Sequence, residues 1–378
     1  MPNWLRGLIT IALVFLFVSA VKMMGGGLKV IAADPGGEDY LHSLFSLVDQ
    51  PVNGLFVGLL VTSLVQSSSF TTSMTIGFVA GGQVSLAAAI PIIMGANIGT
   101  SVTNILVSLA HIRQRREFRR SFAGAIVHDF FNVLSVLLFL PLEWAFGIIS
   151  KPTAWFSEML ARTTLFQSDP TRQIGFIKAF FGLLGSGAKW LVLDVMGFSK
   201  PIGGTILAAV ALVLLFVALV LLVKMLRGLM QSRLSDVFDR TLFRRPGIAF
   251  AVGIILTASV QSSSVTTSLV VPLVGAGILK LRQIYPYTLG ANIGTTLTAM
   301  LAAVGTGKAE AMGCAVGHLL FNCYGTAVFW PLQFIPISLA KGFAKLASRR
   351  RLLAAGYVLA AFFVVPIVVI ILIRWIQG

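Results

Sequence analysis

Two octets carry the chemistry of this chain. Gln66 to Ser73 reads QSSSFTTS and Gln261 to Ser268 reads QSSSVTTS, hydroxyl-rich runs set inside long apolar stretches. Each is followed by a second motif, GANIGTS from Gly95 and GANIGTT from Gly290. Gln66 to Gln261 and Asn97 to Asn292 are both separated by 195 residues, so the motifs keep their spacing in the two halves. A looser echo, His128-x-x-x-Asn132 against His318-x-x-x-Asn322, is separated by 190. These repeats read as an internal duplication.

Irregular backbone survives at membrane depth only where protein or a water-filled cavity satisfies it, so two Gln-Ser-Ser-Ser tips meeting near the midplane imply a polar cavity. Half-helix N-termini at Gln66, Ser67, Ser68 and Ser69 and at Gln261, Ser262, Ser263 and Ser264 would aim N–H groups and positive dipole ends at an anion. The serine hydroxyls add donors. Freed carbonyls, threonine hydroxyls and the amide oxygens beside Asn97 and Asn292 suit a hard cation such as Na+. Neither motif contains Lys or Arg. An anion there would need co-bound cations, which argues for cation-coupled symport. Isolated Ser and Thr in membrane helices commonly pack small or bond across helices; duplication at fixed spacing favours function. His128 and His318 are expected to bond helix backbone or the Asn one turn on, because no further His or Cys converges to bind metal. Asp129 has no counterpart, since Leu319 stands at its position, and an ionisable group at that depth is a functional candidate.

The elements that must position these residues are membrane helices. With 57% hydrophobic and 11% charged residues, the chain falls far from the roughly 25% charged content of soluble domains. Cys314 and Cys323 lie in an apolar stretch and indicate no disulfide framework. Spans of roughly 20 residues are expected over 6–24, 85–110, 121–144, 202–223, 284–304, 311–334 and 352–373. The run Leu8 to Ala20 also resembles a signal peptide ending Val18-Ser19-Ala20, but the duplicated plan needs it as the first span. Residues 54–80 and 247–276 hold the octets at their middles, cut into arms too short to cross. Each is expected to enter, turn at the serines and leave by the same face.

Charge supports re-entry, because Lys and Arg concentrate on the cytoplasmic side. The basic clusters are Arg113, Arg115, Arg116, Arg119 and Arg120; Lys224, Arg227, Arg233, Arg240, Arg244 and Arg245; and Lys341, Lys345, Arg349, Arg350 and Arg351. If both octet stretches re-enter, all three fall inside with Arg6, Lys280 and Arg282. They are read as topology signals and lipid contacts rather than a nucleic-acid surface. Three spans and one hairpin per repeat invert the second copy. The expected fold is an all-α polytopic membrane protein of two inverted repeats, each with a re-entrant hairpin carrying QSSS and a broken helix carrying GANIGT. Repeat 1 covers 1–149, an extracytoplasmic connecting segment 150–200, repeat 2 201–340, and a basic loop with the last span 341–378. Within the connection, 175–198 reads as an outer, partly interfacial segment.

LVQSSSFTTS from Leu64, IPIIMGANIGTSVTN from Ile90 and EFRRSFAGAIVHDFFN from Glu117, with QSSSVTTS and LGANIGTT in the second half, resemble the type II sodium/phosphate cotransporters. The likeness is long over about 54–142 and 247–325. It implies sodium-driven uptake of inorganic phosphate, with phosphate at the two QSSS tips and no cofactor beyond Na+ as the coupling ion. In that family an Ala-x-Ala-x-x-x-Asp pattern marks electrogenic members, read here as Ala123, Ala125 and Asp129. The sodium ligands on this reading are Asn97, Thr100, Asp129, Asn292, Thr295 and Thr296. The long glycosylated, disulfide-bearing loop and extended tails of animal members are lacking, which points to a compact bacterial relative in the inner membrane without an appended regulatory domain. The nearest rival is a sodium-coupled carrier of another oxyanion or a phosphorylated compound. A membrane hydrolase is disfavoured, since there is no G-x-S-x-G elbow or Ser-x-x-Lys and a nucleophile is not needed twice; a neutral channel is a third option.

Overall fold

The structure, a computed structural model, describes residues 3–163, 174–230 and 242–377. Every regular element among them is helical. The first half contains α1 (Asn3–Ala32), α2 (Gly37–Asp49), α3 (Pro51–Val65), α4 (Ser68–Gly81), α5 (Leu86–Gly99), α6 (Ser101–Leu109) and α7 (Arg115–Phe146). A connection of α8 (Ser150–Ala161) and α9 (Ile174–Lys189) leads to α10 (Lys200–Met230). The second half holds α11 (Pro246–Val260), α12 (Ser263–Gly275), α13 (Leu281–Thr306), α14 (Ala309–Phe329) and α15 (Phe334–Ala347), and α16 (Leu352–Leu359) and α17 (Val365–Gln377) close the chain.

Seven stretches among the described residues are long and apolar enough to cross a bilayer, and they coincide with the seven expected spans. The protein is a polytopic membrane protein. The octet stretches are each two short helices, α3 with α4 and α11 with α12. At about 1.5 Å per residue each arm is roughly 20 Å long, short of a hydrocarbon core of about 30 Å. Pro51 and Pro246 occupy the first turns of α3 and α11, where the missing N–H has no partner to lose. The first span continues beyond the expected limit to Ala32, and α2 follows, meeting α3 at a bend of 87°.

The expectation of a helix broken beside each GANIGT asparagine is corrected. The second copy lies inside α13, which runs unbroken from Leu281 to Thr306. In the first copy α5 and α6 part only at Thr100, which keeps right-handed helical angles (φ −56°, ψ −31°). The glycines serve close approach instead. A Cβ on Gly95 would overlap the Leu55 carbonyl, and one on Gly290 the Phe250 carbonyl. Gly99 and Gly294 also sit close, against Thr62 and Thr257, at 2.7 and 2.9 Å for the same hypothetical atom. GANIG is thus a small-xxx-small packing face that beds α5 on α3 and α13 on α11, two of the most extensive helix pairings of the molecule. Gly290→Val should therefore cost about 1–3 kcal/mol by overpacking, lowering the melting temperature in detergent. Gly342→Ala, where the added Cβ meets nothing within 4 Å, should not. Equal melting of the two variants would show that the α11–α13 contact is loose.

In the connection, the buried Glu143 carboxylate near the end of α7 accepts from the N–H groups of Ile149 (2.6 Å) and Ser150 (3.1 Å), anchoring the start of α8. α9 continues as one wide turn over Trp190–Val195 and packs on α1. It is not among the seven apolar spans, and Trp190 is exposed. Residues 164–173 of the connection, and the basic-cluster positions Arg233 and Arg240, lie outside the described residues.

Candidate functional site

The two octets fold alike and meet. Gln66 and Gln261 are the only non-glycine residues among those described with positive φ, both at 57°. Holding a β-carbon-bearing residue there costs on the order of 1–2 kcal/mol, and both hairpins turn on that residue. Ser67 and Ser262 then cap the second arms, their hydroxyls accepting from Phe70 N–H (3.2 Å) and Val265 N–H (3.4 Å). The arms are stitched at matching places, Thr62 donating to Thr71 (2.8 Å) and Thr257 bonded to Thr266 (2.7 Å). Ser69 Oγ donates to the Gln261 carbonyl at 3.1 Å, so the tips are in direct contact. The N–H groups of the first helical residues, Ser68 and Ser69 in α4 and Ser263 and Ser264 in α12, have no intrahelical acceptor by position. The hydroxyls of Ser68, Ser263 and Ser264 make no hydrogen bond among the described residues. Gln66 is exposed while Gln261 is 8% exposed with an unpartnered Oε1.

Behind the tips a buried amide network joins the two GANIGT copies through α7. Asn132 donates to the Asn97 carbonyl (2.8 Å), and Asn292 donates to Asn132 Oδ1 (2.8 Å). His128 Nε2 lies 2.6 Å from Asn292 Oδ1, and its Nδ1 lies 3.3 Å from the Asn104 amide nitrogen. Thr267, inside the second octet, donates to Asn104 Oδ1 at 3.0 Å. With an acceptor at Nε2 and a donor at Nδ1, the ring is the neutral tautomer protonated on Nε2. His128 thus bridges α6 and α13 instead of bonding the Asn one turn on. The second copy is unlike the first: both ring nitrogens of His318 are buried without partners, and Asn322 only donates back to the His318 carbonyl (3.0 Å). Asn97 donates to the Ile93 carbonyl (2.9 Å), and its Oδ1 accepts nothing among the described residues.

The threonines expected to ligate a cation are buried, and their hydroxyl protons are committed one turn back. Thr100 donates to Ala96, Thr295 to Ala291 and Thr296 to Ile293, at 2.9, 3.1 and 2.7 Å. A hydroxyl so engaged presents its lone pairs elsewhere, which suits a cation. The amide oxygen of Asn292 accepts from His128 through one lone pair and keeps a second for a cation. Asp129 is fully buried; one carboxylate oxygen accepts from the Tyr357 hydroxyl, and the other faces the buried Ser101 hydroxyl. A buried carboxylate oxygen beside a hydroxyl fits a hard cation. Among the described residues no three His, Cys, Asp or Glu side chains converge as a transition-metal site would need.

Sequence reasoning left out Tyr357, Asn104 and Thr267. Tyr357 projects from α16, outside both proposed repeats, and stacks near Phe343 (4.9 Å) and Phe362 (6.0 Å). It is the lone hydroxyl of an otherwise apolar span, the signal that could have found it. Tyr357→Phe should leave Asp129 without that donor and, if Asp129 is the sodium ligand the family resemblance implies, change sodium dependence rather than phosphate affinity. We expect a several-fold higher half-saturating sodium concentration in flux assays, and an unchanged sodium dependence would make the contact incidental.

An all-helical, polytopic membrane protein with two hairpin tips in contact and a buried polar network behind them is the class defined by this fold and site. The chain belongs to the Na+/Pi-cotransporter family, whose model matches residues 16–192 and 214–363. It is similar to human sodium-dependent phosphate transport protein 2B, 31% identical over 96% of this chain and 64% of the relative. It is also similar to rat sodium-dependent phosphate transport protein 2A, 34% identical over 93% and 65% of the two chains. The chain thus spans a little under two thirds of the length of these relatives. No solved structure matches it.

Proposed function

We propose that this protein is a sodium-coupled symporter that imports inorganic phosphate by alternating access, carries net charge, and works in an inner membrane rather than as an enzyme. The observation that carries this reading is the contact of the two octet tips, Ser69 Oγ on the Gln261 carbonyl at 3.1 Å. On this reading the two helix N-termini, each with roughly half a positive charge, share one anion with the hydroxyls of Ser68, Ser69, Ser263 and Ser264. Phosphate takes the N–H groups and hydroxyls there, with Gln66, Ser67, Gln261 and Ser262 shaping the turns. No Lys or Arg belongs to the motifs, so sodium ions supply the remaining positive charge. Asn97, Thr100, Asp129, Asn292, Thr295 and Thr296 are their ligands, Asn292 through the amide-oxygen lone pair that His128 leaves.

Two inverted repeats, 1–149 and 201–340, give the motion a physical form. The mirror of the His128–Asn292 bond is His318 to Asn97, and both of those groups lack that partner here. Opening to the other side exchanges one bond for the other. Two of the basic clusters support the same orientation, since Arg351 donates to the Arg113 carbonyl at 3.2 Å.

Ser68→Ala and Ser263→Ala each remove one hydroxyl donor from the shared anion. Each should raise the half-saturating phosphate concentration by roughly 10- to 150-fold, from the roughly 1.5–3 kcal/mol of a hydrogen bond to a charged group, with normal abundance in the membrane. If one tip tolerates alanine without change, the two hairpins do not share a substrate.

A further inference from the structure

A second cluster of charge lies away from the octet tips. A cavity of about 640 Å³ opens between α7, the turn from α12 to α13, and α15. Arg119 and Arg120 line it from α7, Lys280 from the turn, Arg282 from the start of α13, and Lys341 and Lys345 from α15. Its floor is apolar, formed by Ala123, Val274, Leu279 and Leu281. A second cavity of about 490 Å³ shares Arg119, Arg120 and Lys345, and adds Arg115, Arg116 and Arg349. No carboxylate lines either one.

An orientation signal requires only that basic residues lie in the loops of one face. It does not require that three separate elements converge their cations on one walled cavity over an apolar floor. Like charges brought together repel unless an anion joins them, and the repulsion grows where the walls exclude water. A single phosphate group carries at most about two charges at neutral pH, too few for six facing cations. A ligand with two or more phosphate groups matches the charge, and Arg119, Arg120 and Arg282 offer the forked donors that grip phosphate oxygens in pairs. The Arg120 guanidinium lies over Gly277 just past the end of α12. A polyanion held here would tie the outer end of the second hairpin to α7 and α15.

We propose that this cavity binds a ligand bearing two or more phosphate groups, supplied either by a lipid headgroup or by a soluble polyphosphate. Basic pockets between membrane helices take such headgroups, and the apolar floor leaves room for either source. The inference concerns occupancy of this cavity and stands apart from what the octet tips carry.

The test is thermal melting of the full-length protein in neutral detergent, titrated separately with tripolyphosphate, with cardiolipin and with inorganic phosphate. The comparison is a variant combining Lys341→Gln and Lys345→Gln, whose ligand-free melting temperature reports its folding. A single-site variant, Arg282→Gln, serves in its place if the double one melts early. We expect a saturable rise of several degrees with tripolyphosphate, with cardiolipin, or with both, its midpoint moved at least tenfold higher in the variant. Tripolyphosphate alone identifies a soluble ligand and cardiolipin alone a lipid. No rise with either, or a rise the variant leaves unchanged, overturns the proposal. So does a variant-sensitive rise with inorganic phosphate at the same midpoint as tripolyphosphate, which would make the cavity a single-phosphate site.

Discussion

Replacing His128 by leucine is expected to destabilise the protein by about 2–5 kcal/mol, because it strands Asn292 Oδ1 and an Asn104 amide hydrogen at roughly 1–3 kcal/mol each. The lower end is the better guide in a membrane, where measured polar contacts average about 0.6 kcal/mol. The loss should be visible as early melting and as transport reduced more than tenfold. His128→Gln, which can keep one of the two bonds, should recover part of both. His318→Leu separates structure from motion. Both ring nitrogens of His318 are buried and unpartnered, so leucine there should melt at or above the parent temperature. If the repeats exchange bonds during transport, that stable variant will nevertheless turn over slowly. A destabilised His318→Leu protein, or a stable and fully active one, would remove the exchange from the account.

Asp129→Asn is the second large effect. The amide can still face Tyr357, so local packing survives, but the fully buried carboxylate midway along α7 is replaced by a neutral group. If Asp129 holds a sodium ion that travels with the other substrates, the parent protein moves net positive charge inward. An inside-negative potential then favours transport by about 2.3 kcal/mol per charge per 100 mV. The variant should lose the phosphate-evoked current and show lower sodium cooperativity, while some sodium-dependent uptake remains. Normal current in a variant of normal abundance would exclude Asp129 as a sodium ligand.

Much of this was legible in the sequence because the bilayer restricts what a chain can do. Apolar runs about as long as the membrane is thick became the seven spans, and arms half that length around Gln66 and Gln261 became helix pairs. Capping explains why the octets turn where they do: a serine accepts at the start of each second arm, as residue type foretells. The glycines of GANIGT were misread, because Gly inside an apolar pattern fits both a break and a close contact, and only the opposing backbone of Leu55 and Phe250 separates the two. The amide network was illegible for a different reason. Asn104, His128 and Asn292 lie as much as 188 residues apart, and which polar group meets which depends on tertiary packing. The unequal use of His128 and His318 was open to reading in one respect, because Ala299 stands where the first copy has Asn104, the amide that meets His128 Nδ1, so the second ring has no equivalent partner.

The central claim is most directly tested by reconstituting the purified protein in liposomes and following labelled phosphate under an inward sodium gradient. The account predicts accumulation above equilibrium that collapses when potassium replaces sodium, is competed by unlabelled phosphate, and is spared by sulfate. It further predicts that Ser263→Ala shifts the phosphate dependence and Asp129→Asn the sodium dependence. Uptake that ignores sodium, or that never exceeds the outside concentration, would contradict it.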